Sequence, residues 1–210
     1  MSERDLREGI AMHGRSIFDR GLTIGSSGNI SVRLPDGMLI TPTNSCLGRL
    51  DPDRIAKLDD SGEVVAGDQP SKEALLHHSM YRARPHEGAI VHLHSTYCVA
   101  VSCIDDIDPA NALPPITAYY VMRVGSLPLV PYYAPGDARL AEAVREAAAK
   151  SSAVLLANHG PVVAGKSLDA AVYAAEELEE TAKLFMLLRS EKVRLLSDSQ
   201  VAELEARFPS

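Results

Sequence analysis

The stretch that most constrains the fold of this chain is residues 89–95, with the sequence Ala-Ile-Val-His-Leu-His-Ser. It is apolar and β-branched and follows Gly88, which predicts a buried strand. Side chains alternate between the two faces of a strand, so His92 and His94 share one face, about 6–7 Å apart at their Cα atoms. Two imidazoles at this spacing can bind one metal ion, or each can hydrogen-bond to the backbone or to water. The motif alone leaves both interpretations open.

The composition limits the classes of protein to which the chain can belong. Its 210 residues suit a single domain over residues 1–210. The net charge is −7 and no cluster of Lys and Arg stands out, so nucleic acid is not an expected partner. No apolar run reaches the ~20 residues that span a membrane, and the N-terminus lacks an apolar signal segment. The three cysteines are odd in number and lack zinc-finger spacing, so we expect reduced thiols and a cytoplasmic protein.

Hydrophobic periodicity and turn signals predict a chain of mixed helices and strands. Residues 3–20 carry apolar side chains at helical spacing, and Gly21 is placed to end that helix. Another long helix is expected over 169–189, with the acidic run 176–180 on a solvated face. Two antiparallel pairs are predicted, namely a hairpin over 30–43 that turns at 35–37, and the strands 55–58 and 63–66.

Two segments rich in small polar residues are candidates for binding an anion. Residues 23–31 include Gly25 and Gly28, which can adopt left-handed backbone angles and turn successive N–H groups toward one anion. The same segment also fits a plain turn. Ser71 is placed to cap the next helix, where first-turn N–H groups and the helix dipole favour an anion, and Lys72 adds a positive charge.

Glu73 and His159 are further candidates for a metal site. A first-turn glutamate is ordinarily a partner of the helix dipole, which is the alternative for Glu73. His77 lies four residues later and can share its helix face, so His77 and His78 compete as ligands, ranked below the two histidines of residues 89–95. The sharp turn Asn158-His159-Gly160 follows a buried strand and presents His159 at the strand end, where it can reach a metal.

Five short motifs follow one another along about residues 3–190. They are Gly28-Asn29, Thr43-Asn44, Ser71-Lys72-Glu73, His92-Leu93-His94 and Asn158-His159-Gly160. In this order they resemble the class II aldolase/adducin family. Residues 41–49, 113–125 and 170–180 resemble more narrowly the 3-oxo-tetronate 4-phosphate decarboxylases of that family. The resemblance implies an α/β fold of the α/β/α sandwich type, in which helices flank a central, mainly antiparallel sheet.

The resemblance also implies a role for each site residue. Zinc, or another divalent metal, would be bound once per subunit by His92, His94 and His159. Glu73 would be the catalytic acid/base and would also reach the metal in the empty site. The implied set for binding the substrate phosphate is Gly28, Asn29, Ser31, Thr43, Asn44, Ser71 and Lys72. The family also implies a homotetramer with active sites between subunits, in which Tyr119 of a neighbour, or alternatively Tyr120, donates a proton.

The implied activity is decarboxylation of 3-oxo-tetronate 4-phosphate to dihydroxyacetone phosphate and CO₂ through an enediolate, in four-carbon sugar acid catabolism. The expected partner is therefore a small phosphorylated keto acid. Two alternatives stay open, a sugar-phosphate aldolase or 4-epimerase and a non-catalytic adducin-like interaction domain. Against the aldolase, Lys72 stands where the family's aldolases tend to carry a second small hydroxyl residue, and no Tyr or His follows Tyr173. Against the interaction domain, a scaffold does not need three histidines and a glutamate.

Overall fold

The strands run through most of the chain and join into one sheet. The computed structural model describes residues 2–134 and 137–208, and within them the strands are β1 (Asn29–Leu34), β2 (Gly37–Ile40), β3 (Ala56–Asp59), β4 (Val64–Ala66), β5 (Ala89–His92), β6 (Leu129–Val130), β7 (Ala153–Leu156) and β8 (Gly160–Gly165). Their order across the sheet is β4-β3-β2-β1-β5-β8-β7-β6. Neighbouring strands are antiparallel except β6 and β7, so the mainly antiparallel sheet is confirmed.

Helices cover both faces of the sheet. They are α1 (Glu3–Asp19), α2 (Ala74–Ala83), α3 (Thr96–Ser102), α4 (Ala118–Arg123), α5 (Ala138–Ala148), α6 (Leu168–Leu188) and α7 (Asp198–Arg207). Buried side chains of α2 and α5 form one core with the sheet, and those of α1, α3, α4 and α6 form the other. The α/β/α arrangement is therefore confirmed. Within the described residues, none of these helices is both long and apolar enough to cross a membrane.

Alternation along the central strands explains why there are two cores. In β5, Ile90 packs on the side of α2 and α5, whereas Val91 packs on the side of α1 and α6. In β7, Val154 and Leu155 divide in the same way, and all four side chains are fully buried. A strand buried on both faces must be apolar throughout, since each Å² of apolar surface removed from water contributes about 25 cal/mol. The uninterrupted apolar runs of the sequence therefore mark the centre of the sheet.

Helix α1 has the start and stop that its sequence predicts. The hydroxyl of Ser2 accepts from the N–H of Asp5 at 3.2 Å, and the carboxylate of Asp5 accepts from the N–H of Ser2 at 2.7 Å. This capping box satisfies N–H groups that the first helical turn leaves free. At the other end Gly21 has a φ of +72°, and its N–H donates to the carbonyl of Phe18 at 2.9 Å. Glycine reaches this conformation at little cost, which ends the helix here.

Two predicted boundaries are corrected around the site. The strand expected over 89–95 ends at His92, so His94 lies on the connection to α3. Ser71 is not the cap of α2, because the N-cap is Glu73 and the helix begins at Ala74. The hydroxyl of Ser71 instead accepts from the N–H of Glu73 at 3.2 Å in a turn ahead of the helix. Glu73 therefore lies at the N-terminus of α2, where its carboxylate contacts Asn29 of β1.

The acidic run 176–180 is not wholly solvated. Glu179 is buried, and its two carboxylate oxygens accept from the N–H groups of Tyr97 and Cys98 at 2.8 and 2.9 Å. These N–H groups belong to the first turn of α3, which has no partner within its own helix for them. The packing of α6 against α3 thus turns one of these glutamates inward as a cap, and this fixes the start of the helix that follows His94.

Candidate active site

Four side chains from three parts of the fold meet beside the end of β5. His92 is the last residue of β5, His94 lies two residues further on, His159 occupies the turn between β7 and β8, and Glu73 caps α2. One ligand atom from each, a ring nitrogen or a carboxylate oxygen, lies within 4.8 Å of all the others. The structure therefore brings together the residues that the sequence singled out for a metal, with Glu73 among them.

The turn that carries His159 depends on backbone conformations that few residues adopt. Asn158 has a φ of 55° and Gly160 a φ of 153°. A Cβ at Gly160 would lie 2.4 Å from the carbonyl oxygen of Leu93, so a side chain there does not fit. Close approach to residues 92–94, which carry the other two histidines, is what brings His159 within reach of them.

The spacing of the donor atoms fits one tetrahedral ion. The Nε2 atom of His94 lies 3.1 Å from that of His92 and 3.0 Å from that of His159. The carboxylate oxygens of Glu73 lie 3.4 Å and 3.3 Å from the Nε2 atoms of His92 and His159. Ligands about 2.1 Å from a tetrahedral metal lie about 3.4 Å apart. Three ring nitrogens and a carboxylate directed at one point are a set of donor atoms that one shared cation can satisfy.

A hydrogen bond on the far side of its ring presents His92 as a ligand. The Nδ1–H of His92, which is fully buried, donates to the carbonyl oxygen of Pro161 at 2.8 Å. This bond places one ring proton on Nδ1, so Nε2, which is directed at Glu73 and the other two histidines, is the atom that can bind a metal. Metal-binding histidines are commonly oriented by such a bond from their second nitrogen.

Charge and burial set the protonation of the cluster. Burial by itself would raise the pKa of Glu73, but the charge of His92 and hydrogen bonds from His159, His92 and Asn29 hold that pKa well below its ordinary value. Burial lowers the pKa of His94 to about 4, and repulsion from His92 and His159 adds to this. Burial alone would lower the pKa of His92, but the charge of Glu73 and the hydrogen bond to it raise that pKa. At neutral pH Glu73 is therefore ionised and His94 is neutral, the forms that bind metals, and a metal would displace any proton on Nε2 of His92.

Asn29 and Ser31 do not have the free polar groups expected of phosphate ligands. The hydroxyl of the fully buried Ser31 lies 2.7 Å from Nδ1 of His77 and 3.0 Å from the hydroxyl of Tyr81. A hydroxyl buried and bonded in this way is not free for a phosphate, which weighs against Ser31 in the expected phosphate set. The amide of Asn29, 4% exposed, donates from Nδ2 to Glu73 at 2.7 Å, and its Oδ1 lies 2.5 Å from Nε2 of His77. Asn29 thus contacts the acid/base candidate rather than open space.

The remaining anion-binding candidates lie in three segments, and only some of them line a polar cavity. Gly25 and Gly28 adopt the expected left-handed angles, with φ of +59° and +80°. Gly25, Thr43 and Asn44 line a cavity of about 340 Å³. Two backbone hydrogen bonds, from Thr43 to residue 69 at 2.9 Å and from Ser71 to residue 41 at 3.1 Å, hold the start of α2 against the 41–43 segment. Gly28, Ser71 and Lys72 do not line this cavity, and Lys72 is solvent-exposed.

The two tyrosines proposed as proton donors lie in different environments. Tyr120 is fully buried, its hydroxyl donates to the carbonyl oxygen of Leu113 at 3.3 Å, and burial raises its pKa above the ordinary value. Tyr119 is 60% exposed and lines, with Arg123 and Tyr173, a surface depression to which none of the four metal-site residues of its own chain contributes. Of the two tyrosines, only Tyr119 is exposed at the surface, where another subunit would meet it.

His77 and Tyr81 lie beside the site, but not as the sequence analysis expected: His77 was a competing metal ligand there, and Tyr81 had no assigned role. Glu73, His77 and Tyr81 are spaced by four residues, which places their side chains on one face of α2. This spacing was the signal that could have identified them. The two ring nitrogens of His77 are hydrogen-bonded to Ser31 and Asn29. Neither His77 nor His78 belongs to the cluster of candidate metal ligands.

Comparison with known proteins agrees with this geometry. The family model of the Class II Aldolase and Adducin N-terminal domain matches residues 8–186. The 3-oxo-tetronate 4-phosphate decarboxylase of Escherichia coli K12 is 51% identical over 205 residues, which cover 97% of each chain. The L-fuculose phosphate aldolase of the same strain is 35% identical over 90% of this chain and 86% of the aldolase. The crystal structure of YgbL from Escherichia coli superposes with a TM-score of 0.94 and 50% identity, covering 96% of this chain and 98% of YgbL.

Proposed function

This chain belongs to the class II aldolase and adducin family, and we propose that it is a metal-dependent carboxy-lyase that converts 3-oxo-tetronate 4-phosphate to dihydroxyacetone phosphate and CO₂. The observation that carries the proposal is the 51% identity to a protein named for this activity, over nearly the whole chain, together with the cluster of three histidines and one glutamate. The reaction would belong to the breakdown of four-carbon sugar acids.

We assign one divalent ion per subunit to His92, His94 and His159, with Glu73 as a further donor while substrate is absent. Three neutral nitrogens and a carboxylate are a donor set typical of zinc, and three protein ligands leave a position for substrate. When bound, the ion would supply Lewis-acid polarisation of the substrate's 3-oxo group. The cluster favours this role because its donor atoms already lie at distances that suit tetrahedral coordination.

The role proposed for Glu73 is to manage a proton. In the reaction the C1–C2 bond of the substrate breaks, CO₂ departs, and the electron pair delocalises toward the C3 oxygen to give an enediolate. A proton must then be added at C2, and Glu73 is the carboxyl group at the centre of the site that can deliver or orient it. Burial and the neighbouring histidines control its charge, as is common for catalytic carboxylates.

The substrate phosphate is assigned to the region where the 41–44 segment meets the start of α2. The proposed ligands are Gly28, Thr43, Asn44, Ser71 and Lys72. Backbone N–H groups at left-handed positions and the positive end of the helix dipole favour a dianion, and Lys72 would add a charge-assisted bond. Ser31 is left out because its hydroxyl is buried and already bonded, and Asn29 is assigned to Glu73.

A homotetramer with shared active sites remains part of the proposal. The exposed Tyr119 would reach the site of a neighbouring subunit and act on the proton or the departing carboxylate. All three cysteines are free thiols, which agrees with the proposed cytoplasmic location.

The test of the activity is a coupled assay for dihydroxyacetone phosphate, run with both C2 epimers of 3-oxo-tetronate 4-phosphate in parallel with CO₂ detection. Stoichiometric release of both products supports the proposal, and in D₂O one deuterium is expected at the former C2. The competing function is a sugar-phosphate aldolase, which the 35% identical aldolase favours. Aldehyde release from fuculose 1-phosphate without CO₂ release from either acid would establish the aldolase instead. Stoichiometric metal without turnover of either substrate would favour the adducin-like domain.

A further inference from the structure

Glu73 is held by side chains that the proposed reaction does not use. One of its carboxylate oxygens accepts from Asn29, and behind Asn29 a continuous row of hydrogen bonds passes through His77 and Ser31 to Tyr81. Asn29, Ser31, His77 and Tyr81 are each between 0% and 5% exposed. Buried polar groups are costly when unpaired and specify one arrangement when all are paired, so a row of this kind restricts the conformation of the carboxylate at its end.

The fold rather than local sequence assembles this row. The β1–β5 pairing sets Asn29 opposite His92, so both side chains lie on the face of the sheet that α2 covers. Ser31 follows two residues later on the same face. On the helix, His77 is one turn after Glu73 and Tyr81 is one turn after His77. Strand and helix therefore run alongside each other with alternating hydrogen-bond partners.

The chemistry of the partners fixes the direction of every hydrogen bond. A carboxylate only accepts, so the amide of Asn29 must turn its Nδ2 to Glu73 and its Oδ1 to His77. His77 must then donate from Nε2–H. Burial lowers the pKa of His77 to about 3, so its ring is neutral at working pH and its Nδ1 accepts from the hydroxyl of Ser31. The hydroxyl of Tyr81 donates to Ser31 in turn, and all donors point toward Glu73.

We propose that His77 is a positioning residue for Glu73. Its Nε2–H fixes which way the amide of Asn29 faces, and that amide holds the carboxylate of Glu73 toward His92 and His159. Without this donor the amide can rotate by half a turn and present its oxygen to the carboxylate, which repels it. The row is not a path for protons, because an amide nitrogen does not pass one on without changing tautomer. The geometry stands on its own, while the effect on turnover rests on the proposed function.

The test compares two amide side chains at position 77. In His77→Gln, the amide nitrogen reaches the place of Nε2 and preserves the donor to Asn29. In His77→Asn, the shorter side chain reaches only the place of Nδ1, so it contacts Ser31 and leaves Asn29 without its donor. Met80→Ala is the control for loss of packing, since Met80 is fully buried on the same helix but lies among apolar side chains.

Two readouts separate positioning from packing. Competition with a chromogenic chelator gives the Kd for zinc, and steady-state kinetics give kcat and KM. For His77→Asn we expect a zinc Kd about tenfold higher and a kcat about 10–100-fold lower, with KM nearly unchanged, since loss of a partner behind a ligand has effects of this size. We expect His77→Gln and Met80→Ala to stay within about threefold of the unmodified protein in both, although Met80→Ala unfolds at lower temperature.

The inference is overturned if His77→Asn matches His77→Gln, or if Met80→Ala loses zinc affinity and kcat as much as His77→Asn. The zinc measurement needs no substrate, so a failure of the proposed decarboxylation does not affect it. If the position 77 variants do not fold, ¹⁵N–¹H spectra of the unmodified zinc protein decide the question. The inference requires His77 to carry its proton on Nε2, and a proton on Nδ1 would contradict it.

Discussion

At the scale of the residue, the site is defined by which atoms are already committed. The Nδ1–H of His92 donates to the carbonyl oxygen of Pro161. The hydroxyl of Ser31 and both ring nitrogens of His77 are hydrogen-bonded to other buried side chains. The atoms that converge on one point are the three Nε2 atoms and the carboxylate oxygens of Glu73. Histidines of the same type therefore have two different roles here: three of them face a possible metal, whereas His77 contacts the residues that orient the site.

Replacing His92 tests the metal site. We expect His92→Ala to lose both bound metal and activity, because it removes a nitrogen whose orientation is fixed before the metal arrives. The measurement is metal content by plasma mass spectrometry after gel filtration, together with the product assay. The control is His78→Ala on α2, outside the cluster, which should keep one ion per subunit. Full occupancy in His92→Ala would show that the assignment is wrong.

Replacing Glu73 separates binding from proton handling. Glu73→Gln keeps the shape of the side chain but cannot take up or release a proton at neutral pH. We expect one zinc ion per subunit in zinc-saturated buffer and a loss in kcat of about 10²–10⁴, the usual effect of a positioned acid/base. Single-turnover kinetics of CO₂ release would measure this. A kcat near that of the unmodified protein would remove Glu73 from the proton transfer.

At the scale of the element, the start of α2 places positive charge beside the 41–43 segment. The N–H groups of Glu73, Ala74 and Leu76 are bonded to Ser71 or Glu73, so what the start of the helix offers an anion is its dipole and Lys72, which is solvent-exposed just ahead of it. A helix start with a positive side chain nearby binds an anion through only a few groups. Lys72 is one of these groups, and replacing it should weaken phosphate binding without disturbing the metal site.

Lys72→Ala should raise KM for the phosphorylated substrate about tenfold, which corresponds to one hydrogen bond to a charged group. Zinc content should not change, since Lys72 is not in the metal cluster. The control is Lys57→Ala. Lys57 lies on β3 and is already paired with Glu3 of α1 and with Asp36 of the turn between β1 and β2. Initial rates over a range of substrate concentrations give KM, and an unchanged KM in Lys72→Ala would rule out this phosphate contact.

What the sequence could predict depended on how local the cause was. The left-handed glycines, the hairpin turn and the turn at His159 follow from residues within a few positions of one another, and the structure has them as expected. The role of Ser31 could not be found in this way. Its partners His77 and Tyr81 lie 46 and 50 residues away, and they meet it only because α2 packs on β1. Glu179 caps α3 from 81 and 82 residues away for the same reason.

At the scale of the whole molecule, the proposed site combines residues of two chains. Glu73 and the histidines lie together, while Tyr119 is exposed on α4 and lines, with Tyr173, a surface depression to which none of them contributes. Symmetric assembly brings the same surface of every subunit against the same surface of a neighbour, so a residue at an interface can complete the neighbour's site. The proposed tetramer therefore implies that each active site combines Glu73 of one subunit with Tyr119 of another.

Subunit mixing tests this composite site directly. Glu73→Gln and Tyr119→Phe should each be nearly inactive alone while keeping the fold. Co-expressed with different affinity tags and purified as mixed oligomers, they should regain up to about a quarter of the unmodified activity, because random pairing gives that share of sites two intact partners. If Glu73 and Tyr119 served the same site within one chain, every site in the mixture would carry one defect. Activity that stays at the level of the separate variants, in oligomers shown by native mass spectrometry to contain both, would therefore contradict the shared site.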